Sequence, residues 1–170
     1  IDRCPEGAFI GALHSIATLP DGSYRAWISR GFGWQDIGGR LFPQYDCWTL
    51  TSDDGVRFEN ASAQRIIPPA PEEYRIGRPR ANRLPDGSWE LCATSDTLSK
   101  QYASFRFTSP DGVSFARTSD EELPRGTAGS WDGEMTCYPA RIDTTQGRSF
   151  LFYNGNNMGA TGVGVAMFED

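Results

Sequence analysis

The strongest constraint on the fold is a sequence that says nearly the same thing twice. Leu19-Pro-Asp-Gly-Ser-Tyr24 returns 65 residues later as Leu84-Pro-Asp-Gly-Ser-Trp89. The stretch that starts at Tyr45 and runs through Ser52, Asp54, Gly55 and Phe58 returns 57 residues later, from Tyr102 through Ser109, Asp111, Gly112 and Phe115. The first copy therefore holds about eight more residues between its halves than the second. Asp-Gly between alternating apolar stretches is a strong hairpin signal. The first copy reads as strands over 12–19, 24–29, 46–52 and 56–60, and the second over 78–84, 89–94, 103–109 and 113–117. A third, degenerate copy supplies strands over 137–144, 149–154 and 162–168, and helix signals are nearly absent. Four-stranded units recurring at this spacing predict an all-β propeller of antiparallel blades, about three in this chain. The blades are expected over residues 9–67, 76–124 and 134–170 of a single domain. A β-sandwich would not predict the repeat.

Composition narrows the function. The chain has 170 residues, with 16 Lys+Arg against 22 Asp+Glu and a formal charge of −6. Without a basic excess to replace phosphate counterions, nucleic-acid binding is not expected. No apolar run approaches membrane-spanning length, so no membrane span is expected. Cys4, Cys47, Cys92 and Cys137 form no CxxC pair and no His-Cys cluster, so no metal site is predicted, and no other cofactor either. Three of them lie in apolar strands of different blades, where thiols stay unpaired. Free thiols, and no secretory signal at Ile1, lead to an expectation of cytoplasmic residence.

Blade geometry turns the strand map into a candidate site. The Asp-Gly turns fall on one face, and the irregular segments (5–11, 30–44, 72–77, 127–135 and 155–161) fall on the other, around the channel mouth. His14, Arg78, Arg80 and Tyr138 lie early in the innermost strands. Glu6 precedes the first of these, and Asp132 and Glu134 lead into the third. Trp34 is expected in the long first-blade loop, and Asn154 and Asn156 end the second strand of the third blade. Acids and amides for hydroxyl groups, with rings for apolar sugar faces, make a sugar-binding palette. The plainer readings are a core histidine for His14, a solvated loop charge for Glu6 and a packing residue for Trp131. A carboxylate among Gly, Met, Cys and Tyr marks Glu134 as expecting a partner.

The segments RIGRPRANRLPDGSW, FTSPDGVSFART, GSWDGEMTCYPARID and FLFYNGNNMGATGVGVA resemble the five-bladed β-propeller superfamily of glycoside hydrolases, which includes arabinanase, xylosidase and fructosidase types. The Trp-Asp-x-Glu-Met-x-x-Tyr-Pro segment at 131–139 and the Tyr-Asn-Gly-Asn segment at 153–156 are similar to those of its poorly characterised members. The resemblance runs from about Arg3 to Phe168 and covers about three of five blades. It implies a carbohydrate ligand and three carboxylates from different blades acting as base, pKa modulator and acid. Glu134, with Asp132 beside it, takes the position of the acid, while the blade that would carry the base is missing. The expectation is a glycosidase-like protein acting on or binding a glycan. A non-catalytic glycan-binding module or a structural half-propeller remain alternatives. Three blades cannot close a ring, so a homodimer is expected, with the Ile1–Ile10 segment of either copy as a possible rim strand.

Overall fold

The computed structural model describes residues 10–99, 102–121 and 123–168, with the backbone alone for 119–121. Cys4, Glu6 and all but the last residue of the Ile1–Ile10 segment lie outside the described residues. The chain is built from three antiparallel sheets, each a meander in which consecutive strands are neighbours. The first contains β1 (Ile10–Thr18), β2 (Tyr24–Ile37), β3 (Arg40–Ser52) and β4 (Gln64–Ile67). The second contains β5 (Glu73–Arg83), β6 (Trp89–Thr97), β7 (Tyr102–Ser109) and β8 (Ala116–Glu121). The third contains β9 (Cys137–Asp143), β10 (Ser149–Asn154) and β11 (Val163–Met167). This is the all-β, blade-like architecture that the repeat demands.

The repeated sequences fold into repeated hydrogen bonds. At the first turn Leu19 N–H donates to the Ser23 carbonyl (2.7 Å) and Gly22 N–H to the Leu19 carbonyl (3.0 Å). The second copy repeats both bonds between Leu84, Ser88 and Gly87 at 2.8 and 3.0 Å. Asp21 and Asp86 each accept the N–H and the hydroxyl of the serine two residues on. Glycine is required at the third position because φ is near +90° there (87° at Gly22, 89° at Gly87).

Two strand expectations need correction. The fourth strands begin later than 56 and 113. Asp54 accepts the N–H groups of Val56 and Arg57, both at 2.8 Å, and Asp111 those of Val113 and Ser114 at 2.8 and 2.7 Å. Each aspartate thus keeps the backbone in a wide turn, and pairing resumes only at Gln64 and Ala116. The segment 30–44 is no loop. β2 and β3 continue in register from Gly33↔Gln44 to Ile37↔Arg40 and close on Gly38-Gly39, both at positive φ. At about 3.3 Å per residue the hairpin rises roughly 20 Å past Gly31.

The sheets stack face to face. Trp27, Cys47, Ile66 and Ile67 of the first pack against Ile76, Ala81, Trp89, Leu91 and Phe107 of the second. Trp27 and Trp89 meet at 5.0 Å between ring centres, and Trp27 Nε1–H donates to the Gly112 carbonyl. Cys92 meets Leu123 and Leu151 between the second and third sheets. Arg141 bridges the same pair of sheets to Glu90 at 2.9 Å. Cys47, Cys92 and Cys137 are buried and form no disulfide with one another. The register places Ile142, Phe150 and Met167 in one row of the third sheet and Phe152 beside Val165 in the next. Of these, Ile142, Phe152, Val165 and Met167 are exposed.

Candidate functional site

Each innermost strand loses register near the loop-rich face, and β5 slips a second time between Glu73 and Arg75. In β1 the slip falls between Leu13 and Ser15, in β5 between Gly77 and Arg80, and in β9 between Cys137 and Ala140. A bulge leaves a residue unpaired and re-aims its side chain. The residues freed are His14, Arg78 and Tyr138. Arg78 and Tyr138 adopt left-handed backbone angles, φ 58° and 59°. Each precedes a proline, Pro79 and Pro139, a context that disfavours helical angles for the residue before it.

The same device holds both. Arg78 N–H donates to Ser29 Oγ at 2.9 Å, and Tyr138 N–H to Thr94 Oγ1 at 2.8 Å. Both hydroxyls are buried and come from the second strand of the preceding sheet. Ser15 Oγ donates to the Pro79 carbonyl and accepts Ala81 N–H, each at 3.0 Å. Hydroxyls from one blade thus set the bulge of the next.

The freed side chains come together. The Arg78 guanidinium lies 3.7 Å from the centre of the Tyr138 ring, so one face of that ring is covered. His14 Nε2 lies 3.0 Å from Ser29 Oγ. Ser29 Oγ also accepts Arg78 N–H, and with its own proton and a second lone pair it can either give to or accept from Nε2, so both neutral tautomers of His14 fit this contact. Burial, with the positive charges of Arg78 and Arg80, lowers the His14 pKa to about 4. The imidazole is therefore neutral at ordinary pH. Arg78 and Arg80 are both exposed.

Behind this rim sits a buried polar group that sequence reasoning missed. Asp96, fully buried, accepts from Arg75 at 2.8 Å and from the Tyr74 hydroxyl. Arg75 also donates to the Tyr102 hydroxyl, and its guanidinium lies 4.9–5.3 Å from the rings of Tyr74, Tyr102 and Tyr45. Burial raises the pKa of the Tyr74 and Tyr102 hydroxyls, and for Tyr74 the bond to Asp96 adds to it. An arginine inside the strand-like Tyr74-Arg75-Ile76-Gly77 was the available signal, since such a charge must find a buried partner. Nearby, a cleft of about 580 Å³ is lined by Arg30, Phe32, Tyr45, Asp46, Trp48 and Tyr74 among others. Arg30 stacks on Trp48 at 5.2 Å, and Asp46 accepts from Trp48 Nε1 and from Arg65.

The third-sheet residues divide. Asp132 is buried, accepting Ser130 Oγ at 2.9 Å and the Tyr153 hydroxyl at 3.0 Å. Asn156 is a staple: its Oδ1 accepts the N–H groups of Glu134 and Met135, both at 2.9 Å, and its Nδ2 donates to the Ser130 carbonyl. Asn154 Nδ2 donates to the Met158 carbonyl at 3.0 Å. Trp131 stacks on Tyr153 at 5.6 Å, and a Cβ on Gly155 or Gly164 would meet its ring at 2.5 and 2.6 Å, which supports a packing role. Glu134 is exposed, where its apolar neighbours suggested burial, and its carboxylate takes no hydrogen bond or ion pair among the described residues. Trp34, 56% exposed, stands on the projecting hairpin opposite Pro43 and not in a mouth loop. Among the described residues, no group of three His, Cys, Asp or Glu side chains is placed to hold a metal ion.

The arrangement of sheets is that of the glycosidase propellers. A thermostable family-43 glycoside hydrolase superposes on 92% of this chain and 54% of its own at a TM-score of 0.68 and 11% identity. An endo-1,4-β-xylanase from Bacteroides thetaiotaomicron gives 0.64 and 12% identity over 92% and 57% of the two chains. A glycosidase-like protein of the same organism gives 0.67 and 17% over 96% and 48%. At these identities the likeness is one of fold. No protein-family model matches the chain. In sequence it is 28% identical over 151 residues to the uncharacterized protein Rv1502 of Mycobacterium tuberculosis, and equally to protein MT1551 from another strain of that species. The aligned region is 88% of this chain and 48% of either relative, so the chain spans about half the length of the curated relatives it matches.

Proposed function

We propose that the chain is a glycan-recognising, glycosidase-like propeller unit whose ligand meets the loop-rich face at His14, Arg78, Arg80 and Tyr138. The observation that carries this reading is the convergence of three bulged residues from three successive inner strands on one rim. The fold, shared with solved glycosidases, supports the ligand class. Guanidinium groups are donors suited to sugar hydroxyls, and the outer ring nitrogen of His14 meets a hydroxyl as donor or as acceptor.

Binding is favoured over hydrolysis for the described residues. Glu73 accepts from Arg117 and from Ala70 N–H, Asp96 from Arg75, and Asp132 from Ser130 and Tyr153, so these carboxylates are committed to structure. Among the described residues, Glu134 is exposed and uncommitted, as is Glu72 just before β5. Glycoside cleavage uses two carboxylates roughly 5–10 Å apart. Glu134 is assigned as the acid of any reaction, with its partner contributed from outside the described residues.

The test is a panel of neutral and acidic oligosaccharides read by ligand-observed NMR. His14→Ala and Tyr138→Ala are expected to weaken the responsive ligand about tenfold, the scale of one or two lost hydrogen bonds. Glu134→Gln is expected to leave binding intact and remove any turnover. A panel with no responsive glycan overturns the reading.

A second copy of this chain is proposed as the cover for the exposed apolar row of Ile142, Phe152, Val165 and Met167. Light scattering at micromolar concentration is expected to give a dimer, and a stable monomer overturns this.

A further inference from the structure

We propose that the rim formed by Arg78 and Arg80, with His14 beside it, takes the anionic group of an acidic sugar, a carboxylate or a phosphate. This inference rests on the glycan reading above and deepens it by naming the ligand class.

The first support is a contrast within the molecule. Five arginines of the sheets meet acids: Arg65 with Asp46, Arg75 with Asp96, Arg106 and Arg141 with Glu90, and Arg117 with Glu73. Arg30 is held instead by Asn60 and Trp48, and exposed Arg83 meets no acid among the described residues. Arg78 and Arg80 are likewise exposed without an acid, but they flank Pro79 on the rim and so put two positive charges together there, in a chain of formal charge −6.

The second support is preorganisation. A free surface arginine loses much rotamer entropy when it binds, which blunts its gain. Arg78 has already lost part of it. Its backbone is set at φ 58° by the bond to Ser29, and its guanidinium is stacked 3.7 Å above Tyr138. A stacked guanidinium keeps its in-plane N–H fork free, and that fork matches the two oxygens of a carboxylate or phosphate. The third support is His14. Its ring stays neutral beside the two arginines, so it brings no carboxylate-like charge to compete with an anion there.

The experiment pairs each sugar with its charged form: galactose with galacturonate and with galactose 1-phosphate, and glucose with glucuronate and with glucose 1-phosphate. Inorganic phosphate is the control. The wild-type chain is expected to prefer at least one anionic form by about tenfold or more, the scale of a charge-assisted pair. The uronate and phosphate arms tell which anion is taken. Arg78→Gln and Arg80→Gln, checked for native circular dichroism, are expected to bring the preference close to one by weakening the anionic form far more than the neutral sugar. On the wild type, added NaCl is expected to weaken the anionic sugar and spare the neutral one, a readout that needs no variant to fold.

Equal binding of neutral and anionic forms overturns this inference and leaves the glycan reading standing. A preference that survives both arginine variants overturns the assignment to this rim. Inorganic phosphate binding as tightly as the sugar phosphate also overturns it, because the site then recognises no sugar. Binding of none of the sugars overturns the glycan reading, and this inference falls with it.

Discussion

Arg78 and Tyr138 occupy the same place in successive blades, and the side chain of the first lies on the ring of the second at 3.7 Å. Each is bulged out of its strand, precedes a proline and gives its N–H to a hydroxyl of the blade before. A double-mutant cycle of Arg78→Gln with Tyr138→Leu is expected to show a favourable coupling of about 0.5–2 kcal/mol in urea unfolding. A coupling near zero would mean that the stack contributes nothing to stability.

His14 is the only histidine, so its NMR titration is unambiguous. Its midpoint is expected near pH 4, and Arg78→Gln and Arg80→Gln are each expected to move it up. The sign for stability follows from linkage. Between pH 4 and the unfolded value of about 6.5 the unfolded chain binds the extra proton. This group therefore lowers stability as pH falls through that window and has no effect above it. A midpoint at an ordinary histidine value would refute the buried, arginine-flanked placement.

Removing the Asp96 carboxylate strands a buried guanidinium. Asp96→Ala is expected to cost about 3–5 kcal/mol in urea unfolding, the range for breaking one partner of a buried pair. Asp54→Ala, in an exposed turn, is expected to cost far less. Comparable losses would contradict the difference in burial between the two carboxylates.

What could be read ahead was local. The Asp21 and Asp86 hairpins announce themselves because turn chemistry is written in four or five consecutive residues. The inner-strand positions of His14, Arg78 and Tyr138 followed from counting strands outward from those turns. The late start of β4 and β8 did not, because the two N–H groups taken by Asp54 and by Asp111 lengthen turns that look shorter on paper. The Tyr45–Arg75–Asp96–Tyr102 group was hidden because it joins strands of two sheets. The staple role of Asn156 was hidden too, since its side chain closes on residues more than twenty positions earlier. Trp34 was misread as a loop residue because Gly38-Gly39 allows a hairpin where glycine-rich sequence suggests irregularity.

Cys47, Cys92 and Cys137 are expected to react with a thiol reagent only when the chain unfolds. Burial raises the thiol pKa of Cys47 strongly and brings that of Cys137 to about 11, so little thiolate exists at neutral pH. Denatured protein is expected to titrate four thiols. Fast modification of these three in the native state would contradict their burial, and fewer than four in the unfolded state would reveal a pairing.

The left-handed angles at Arg78 and Tyr138 place a second filter on what evolution or an engineer can do there. A β-branched residue at either position would clash with its own backbone whatever its charge, while glycine or asparagine would relax it. A saturation scan of Arg78 would therefore sort substitutions by backbone tolerance first and by ligand chemistry second. The two orders diverge most at asparagine and glycine, which suit the bend and carry no charge. Those variants isolate what the guanidinium does, because they remove it from a bulge that has been left more comfortable than before.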